Sequence, residues 1–241
     1  MSSIILPHRR KAFQPAGGPT PIIRFLNDEG SGTTAEDDIS AETLTLGANT
    51  TWFTTGYTAL DFDNTTTAGM VSTDGQFTAM DDLTSAVTVF ARVSIDASFG
   101  FQNRIAFEYG GQASDRCLTL GFRKFRHTGS LNLQAQWLVD AGGTAVNYQP
   151  QTSDPGIAVD EEFTIIGIYD DPTMEVFVNN VSIGSQSHSA GGNVTAPTNK
   201  FLVEGARIST TTPTLQNQFN GTIRDLQIFD FALDSSERAS L

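Results

Sequence analysis

Cysteine is nearly missing from this chain: Cys117 stands alone, which rules out an internal disulfide framework. No apolar run reaches the length of about 18 residues that a membrane-spanning helix needs. Helical periodicity is also missing. Only Asp234–Leu241 reads as a turn of helix, with Asp234 or Ser235 as its cap. Charged residues are few, 17%, and basic ones fewer still, 14 Lys and Arg against 27 Asp and Glu. The three histidines, His8, His127 and His188, lie too far apart in sequence to suggest a zinc set, and no spacing matches an EF-hand loop.

The negative balance of −13 is uneven. Residues 1–24 carry Arg9, Arg10, Lys11 and Arg24 and no acid, whereas residues 25–100 carry twelve acids and only Arg92. An acidic body repels a nucleic-acid backbone, so nucleic acid is not an expected partner. The opening Met1-Ser2-Ser3-Ile4-Ile5-Leu6-Pro7-His8-Arg9-Arg10 places its charges after its apolar residues, which is not the order of a signal peptide. Synthesis in the cytoplasm is the expectation. Asn49, Asn64, Asn180, Asn193 and Asn220 head glycosylation-type triplets, which without secretion are accidents of a Thr-rich chain.

What is abundant points to strands. Thr and the 17 Phe favour extended structure, and 22 Gly with many Asn favour turns. Residues 1–21 read as an extended arm, because Pro7, Pro15, Pro19 and Pro21 with Gly17-Gly18 forbid regular structure. Its apolar residues Ile4, Leu6 and Phe13, with Arg9 and Arg10, leave two readings open: a floppy terminus, or an anchor buried by a partner. Residues 22–241 form the body. A loop is expected over Asn27–Ser40, and Ala59–Asp63 alternates Leu60 and Phe62 against outward aspartates.

In Val87–Val93 the odd positions share one face, with Phe90 and Arg92 opposite. Further strands are expected at Arg104–Tyr109, Leu118–Phe122, Leu131–Val139 and Phe163–Tyr169. The last has apolar residues on both faces and should be central. Turn signals recur about every ten residues, the spacing of an antiparallel sandwich rather than of βαβ units. Near the end, Ile165 to Asp171 leads into Glu175-Val176-Phe177-Val178-Asn179-Asn180, where two asparagines suit a tight turn. Asp170–Met174 is expected to be the loop into that hairpin, and Phe219-Asn220-Gly221-Thr222-Ile223-Arg224-Asp225-Leu226-Gln227-Ile228-Phe229 a closing strand entered through Gly221. Leu226 and Ile228 should point to the core beside Phe90.

Taken in order, these segments resemble a laminin-G-like domain of the concanavalin A-like lectin/glucanase group. The resemblance spans residues 22–241 and is strongest from 163 onward. It implies an all-β fold, a two-sheet antiparallel β-sandwich of the jelly-roll type, here behind an extended N-terminal arm. Related glucanases carry alternating carboxylates on one strand. Here Glu36-Asp37-Asp38 and Asp160-Glu161-Glu162 are consecutive and point opposite ways, so an enzyme of that kind is not expected.

The arm Ser3-Ile4-Ile5-Leu6-Pro7 … Arg9-Arg10-Lys11-Ala12-Phe13, ahead of such a domain, resembles tailed-bacteriophage structural proteins. The resemblance implies a virion protein: decoration, fibre or tail component, presenting a lectin-like domain for adhesion to host-surface carbohydrate. Its partners would be other virion proteins held through the arm, and further copies of itself in a homo-oligomer. A free lectin or a glycan-active enzyme is the alternative.

Site candidates each have a plainer counterpart. Members of the family bind calcium on the sandwich rim, which puts Asp61, Asp63 and Asn64, and Asp170 with Asp171, forward as ligands. Otherwise these are solvated strand ends and turn formers. Arg123-Lys124-Phe125-Arg126-His127 is a basic run that can grip an anionic sugar, a phosphate or a neighbouring subunit; otherwise it is a solvated hairpin. Trp52 and Tyr57 can stack on sugars, although core packing suits Trp52 better, and Trp137 reads as core. Cys117 reads as a small buried residue and not a nucleophile.

Overall fold

The structure, a computed structural model, describes residues 18–63, 68–96, 103–111, 115–127, 130–152, 161–208 and 215–241. For residues 103–104, 123–127, 130–133 and 151–152 it describes the backbone. The strands run in chain order β1 (Ile23–Phe25), β2 (Thr34–Glu36), β3 (Thr43–Leu46), β4 (Thr50–Phe53), β5 (Ala59–Asp63) and β6 (Met70–Val71). Long strands follow: β7 (Ala86–Ile95), β8 (Asn103–Gly110), β9 (Arg116–His127) and β10 (Ser130–Ala141). Next come β11 (Thr144–Tyr148), β12 (Gln151–Thr152), β13 (Glu162–Asp170), β14 (Thr173–Val178) and β15 (Val181–Ser187). The last are β16 (Leu202–Glu204), β17 (Arg207–Ile208), β18 (Leu215–Gln216) and β19 (Asn220–Phe229), before the short helix α1 (Ser235–Ala239).

Two antiparallel sheets form a sandwich, as the sequence leads one to expect. The first has the order β15-β14-β13-β7-β19-β5-β4, and β1 pairs with the far half of the β19 edge that β5 occupies. The second runs β11-β10-β9-β8-β16-β6-β3-β2. Val87, Val89, Ala91 and Val93 of β7, Phe163, Ile165 and Tyr169 of β13, and Leu226 and Ile228 of β19 face inward. They meet Leu118, Leu120 and Phe122 of β9, Trp137 of β10, and Phe107 of β8 in one core. Each such side chain contributes roughly 1.5–3 kcal/mol of burial.

Trp137 ties the two layers together: its Nε1–H donates across the core to the Ile168 carbonyl at 3.1 Å. A Cβ added at Gly167 would lie 2.6 Å from that indole, so only a glycine admits the ring there. Gly221 has φ +135°, and a Cβ on it would collide with the Ser94 carbonyl. The expected close backbone entry of the closing strand is therefore present.

β13 is central and apolar on both faces, as expected. Its outward residues Ile166 and Ile168 form a second cluster with Phe90, Phe177 and Phe229, covered by Leu233 from the C-terminal segment. Here one expectation is corrected: Leu226 and Ile228 face the main core, while Phe90 lies on the opposite face of the sheet, beside Phe229. The helical turn forms with Asp234 as its cap, accepting from the Ser236 and Glu237 amides, while Glu237 closes the capping box.

The 3-10 turn Thr78–Asp82 was not anticipated, and β2 lies within the stretch expected to be loop. Both are short and lack a repeating apolar pattern. Asn179 and Asn180 make the tight turn between β14 and β15 with φ 47° and 62°. Strand β14 starts at Thr173, so the connection before it is shorter than the expected Asp170–Met174 loop.

Candidate functional site

Three outward-facing arginines converge on the first sheet. In β1, inward Ile23 and Phe25 leave Arg24 on the outer face; in β7, inward Ala91 and Val93 do the same for Arg92. β19 supplies Arg224 at an irregularity where the register against β7 shifts between Ile223 and Asp225. A bulge of this kind places one extra residue against the neighbouring strand and re-aims its side chain. Pairing then aligns the set, with Arg24 opposite Gln227 and Arg92 opposite Asp225.

These residues line a cavity of about 300 Å³ with Leu26, Pro19 and Leu241. At its floor Asp225 is buried, and Gln227 Nε2 donates to its two oxygens at 3.2 and 3.1 Å. Burial pushes the Asp225 carboxyl above its ordinary value, although all three guanidiniums pull it down. Arg224 Nη1 donates to both Glu162 oxygens at 3.3 Å, and the Arg92 Nε lies 3.9 Å from the same carboxylate. Arg92 Nη2 donates to the Leu241 carbonyl oxygen at 2.7 Å. The Nε–H groups of Arg24 and Arg92 are buried and make no hydrogen bond among the described residues.

The polar strip continues past Arg224. Its guanidinium lies 5.3 Å from the centre of the Tyr57 ring, and Tyr57 also touches Phe53, with ring centres 5.1 Å apart. The Tyr57 hydroxyl meets Thr222 Oγ1 at 3.3 Å, and that oxygen meets Ser94 Oγ at 2.8 Å. Asp61 pairs across from Thr222 on this face. Its carboxyl is pushed up first by burial, then by the charges of Asp96 and Asp63.

Of the residues singled out in the sequence, Tyr57 and Asp61 therefore join one surface. Trp52 does not; it packs against the core, with Nε1 donating to the Gly32 carbonyl at 3.1 Å. Asp63 is exposed at the end of β5, opposite Asn220, and Asn64 lies outside the described residues. Asp170 pairs with Ala86 at the start of β7, while Asp63 sits near Ile95 at its other end. The strand rise separates the two acidic pairs by about 30 Å.

Asp171 Oδ1 accepts from the Tyr169 hydroxyl at 3.1 Å and from the Gly192 amide at 2.8 Å, the work of a turn former. Among the described residues no group of three or more His, Cys, Asp or Glu is placed to hold a metal ion. Arg123, Lys124 and Arg126 lie in the last part of β9, and their side chains are outside the described set, as are Ile4, Leu6, Arg9, Arg10 and Phe13 altogether.

Sequence reasoning missed Arg24, Arg92 and Arg224 as a set. Each strand showed an outward cation, but only the pairing register makes neighbours of positions 24, 92 and 224. It also missed two buried acids. Glu108 lies between Arg116 and Arg207, with Nε atoms at 3.5 and 3.6 Å, and accepts from the Ile208 amide at 3.0 Å; burial pushes its carboxyl up to about 8. Glu204, fully buried, accepts from Asn27 Nδ2 at 2.6 Å and is likewise pushed up to about 8 by burial.

The chain matches, over residues 64–237, the laminin-G family described as the concanavalin A-like lectin/glucanases superfamily, and it belongs to that family. No curated protein matches the chain.

Among solved structures the chain is similar to Trypanosoma rangeli sialidase in complex with the inhibitor DANA, at 16% identity and TM-score 0.62, over 90% of this chain and 32% of that one. It is similar to the binding domain of botulinum neurotoxin serotype D, at 12% identity and TM-score 0.63, over 91% of this chain and 50% of that one. A third is domain 4 of AbnA, a GH43 extracellular arabinanase from Geobacillus stearothermophilus, in complex with arabinotriose. There identity is 16%, TM-score 0.58, and coverage 91% of this chain and 97% of that domain. The chain thus spans about a third of the sialidase and half of the neurotoxin domain. At these identities the likeness is one of fold.

Proposed function

We propose that this protein is a non-enzymatic virion component whose lectin-like sandwich binds host-surface carbohydrate, with the N-terminal arm fastening it to the particle. The observation that carries the binding half is the cavity on the outer face of the first sheet, where Arg24, Arg92, Arg224 and Gln227 present donors beside Tyr57. Sugars are held by such sets: several directed hydrogen bonds and an aromatic ring against the apolar face. The arabinanase domain solved with arabinotriose supports the reading, since the chain covers 97% of that domain.

Binding without hydrolysis is favoured because the acids beside the cavity are already engaged. Gln227 holds Asp225, and Arg224 with Arg92 holds Glu162. Hydrolysis of a glycosidic bond needs two carboxyl groups facing each other across the substrate. The virion half rests on the arm, whose Ile4, Leu6 and Phe13 suit burial by a partner and whose Arg9, Arg10 and Lys11 suit an acidic one. Weak contacts multiplied by copy number would then supply avidity.

Two measurements test it. On a glycan array the full chain should bind a subset of sugars, and binding to none would contradict the carbohydrate reading. Deletion of residues 1–21, which also takes Pro19 from the cavity wall, should leave a folded sandwich that no longer joins particles; normal incorporation of the shortened chain would contradict the anchor.

A further inference from the structure

The arginine-lined cavity specifies the kind of sugar. Three of the fourteen basic residues in a chain of net charge −13 point into one space of about 300 Å³. Guanidinium groups are the side chains that recognise planar oxyanions through paired N–H donors. Their internal partners do not use up these donors. Glu162 accepts from Arg224 and sits near Arg92, and Asp225 has its two oxygens on Gln227, yet the Nε–H of Arg24 and of Arg92 makes no hydrogen bond among the described residues.

Two buried donors without hydrogen bonds are costly, each on the order of 1–3 kcal/mol, and rotation of the two side chains toward a bound oxyanion would satisfy them. The balance of charge also fits. Three guanidiniums face the carboxylates of Asp225 and Glu162 and the main-chain carboxylate of the last residue, Leu241, on Arg92, and burial disfavours the ionised form of Asp225, which leaves the cations in excess.

Accessibility and shape narrow the class. The Arg224 side chain is 41% exposed and that of Arg92 25%, so a ligand can reach both from solvent. The volume is at the small end of ligand pockets, roughly 300–1,000 Å³. It suits one monosaccharide unit and not a long bound chain. Leu26 and Pro19 supply an apolar wall, which a sugar ring can use and a bare inorganic anion cannot. The hydroxyls of Thr222, Ser94 and Tyr57 lie beyond Arg224 for a neighbouring unit.

We infer that this cavity binds the carboxylate of an acidic sugar, with Arg24 and Arg92 on the carboxylate and Arg224 at the mouth. The inference rests on the glycan-binding reading above and adds the chemical class of the ligand.

The test titrates the full chain with glucuronate-terminated and sialate-terminated oligosaccharides. Each is run beside a counterpart whose carboxylate is reduced to the alcohol, and beside sulfated sugars. The carboxylated forms should bind at least tenfold more tightly than their reduced counterparts, and rising salt should weaken them. Arg24→Gln should cut that binding at least tenfold with an unchanged melting temperature. Arg24→Lys, which keeps the charge and loses the paired donors, should fall between. Arg224→Gln, at the exposed mouth, serves as a second variant if the Arg24 variants melt early.

Equal binding of the reduced sugars, binding of sulfated sugars alone, or full affinity in the Arg24 and Arg224 variants overturns the inference and leaves the carbohydrate reading standing. Binding of no sugar at all overturns both.

Discussion

Inside the sandwich, Glu204 holds a carboxyl with one amide donor, Asn27 Nδ2, and no cation among its principal influences. A buried charge without a counter-ion is expensive, so burial keeps the acid neutral, with Glu29 and Asp225 adding to the upward push. The consequence for stability has a definite sign. Glu204 titrates near 4.5 when unfolded and near 8 when folded, so between these values the unfolded chain releases a proton that the fold retains. Stability is then fullest below pH 4.5 as far as this group is concerned, falls as pH rises toward 8, and is flat beyond.

Glu204→Gln, which cannot ionise, should make the fall in melting temperature between pH 5 and pH 8 shallower by several degrees; each kcal/mol is about 2–4 °C in a domain of this size. Parallel melting curves for the two proteins across that range would show that Glu204 is not held neutral. Neither this acid nor Glu108 was legible in the sequence. An isolated Glu within an apolar strand looks the same whether a loop covers it or water does.

At the scale of elements, the hairpin from β14 to β15 was the most readable part of the chain. Asn179 and Asn180 both adopt positive φ, and the sequence announced it through two asparagines flanked by alternating apolar residues. Asn180→Ala should cost about 1 kcal/mol in urea denaturation, because alanine lacks the local hydrogen bonding that makes the left-handed region accessible. Asn180→Gly should recover most of that loss. A neutral alanine variant would mean that the tertiary contacts, and not the turn, set this hairpin.

The long strands β7 and β19 were legible for a similar reason, since alternation over ten residues marks the inward face, and β13 through a run apolar on both faces, which marks a central strand. β2, β6 and β16 were not. Each has two or three residues, too few for a period to show, and they exist because the neighbouring strands offer them hydrogen bonds.

Across the whole molecule, fold class could be read from turn spacing and composition, but the cavity could not. It depends on β1 and β7 flanking β19 in a fixed register, and strand order among distant segments leaves no mark in any one of them. The outer face of the first sheet is thereby divided. Its apolar part, around Phe90, Ile166 and Phe177, is closed by the C-terminal segment, with Arg238 lying 3.9 Å from the centre of the Phe177 ring. Its polar part, from Arg92 to Tyr57, is left uncovered by the described residues. That division leaves the polar, cation-lined strip as the part of the first sheet on which the proposed sugar binding rests.

The most direct check is a calorimetric titration of the full chain with the best sugar from the array, followed by chromatography of the recovered sugar. Saturable heat with the sugar returned at its original length is the expected result. A shortened sugar, or no heat with any candidate, would contradict the account.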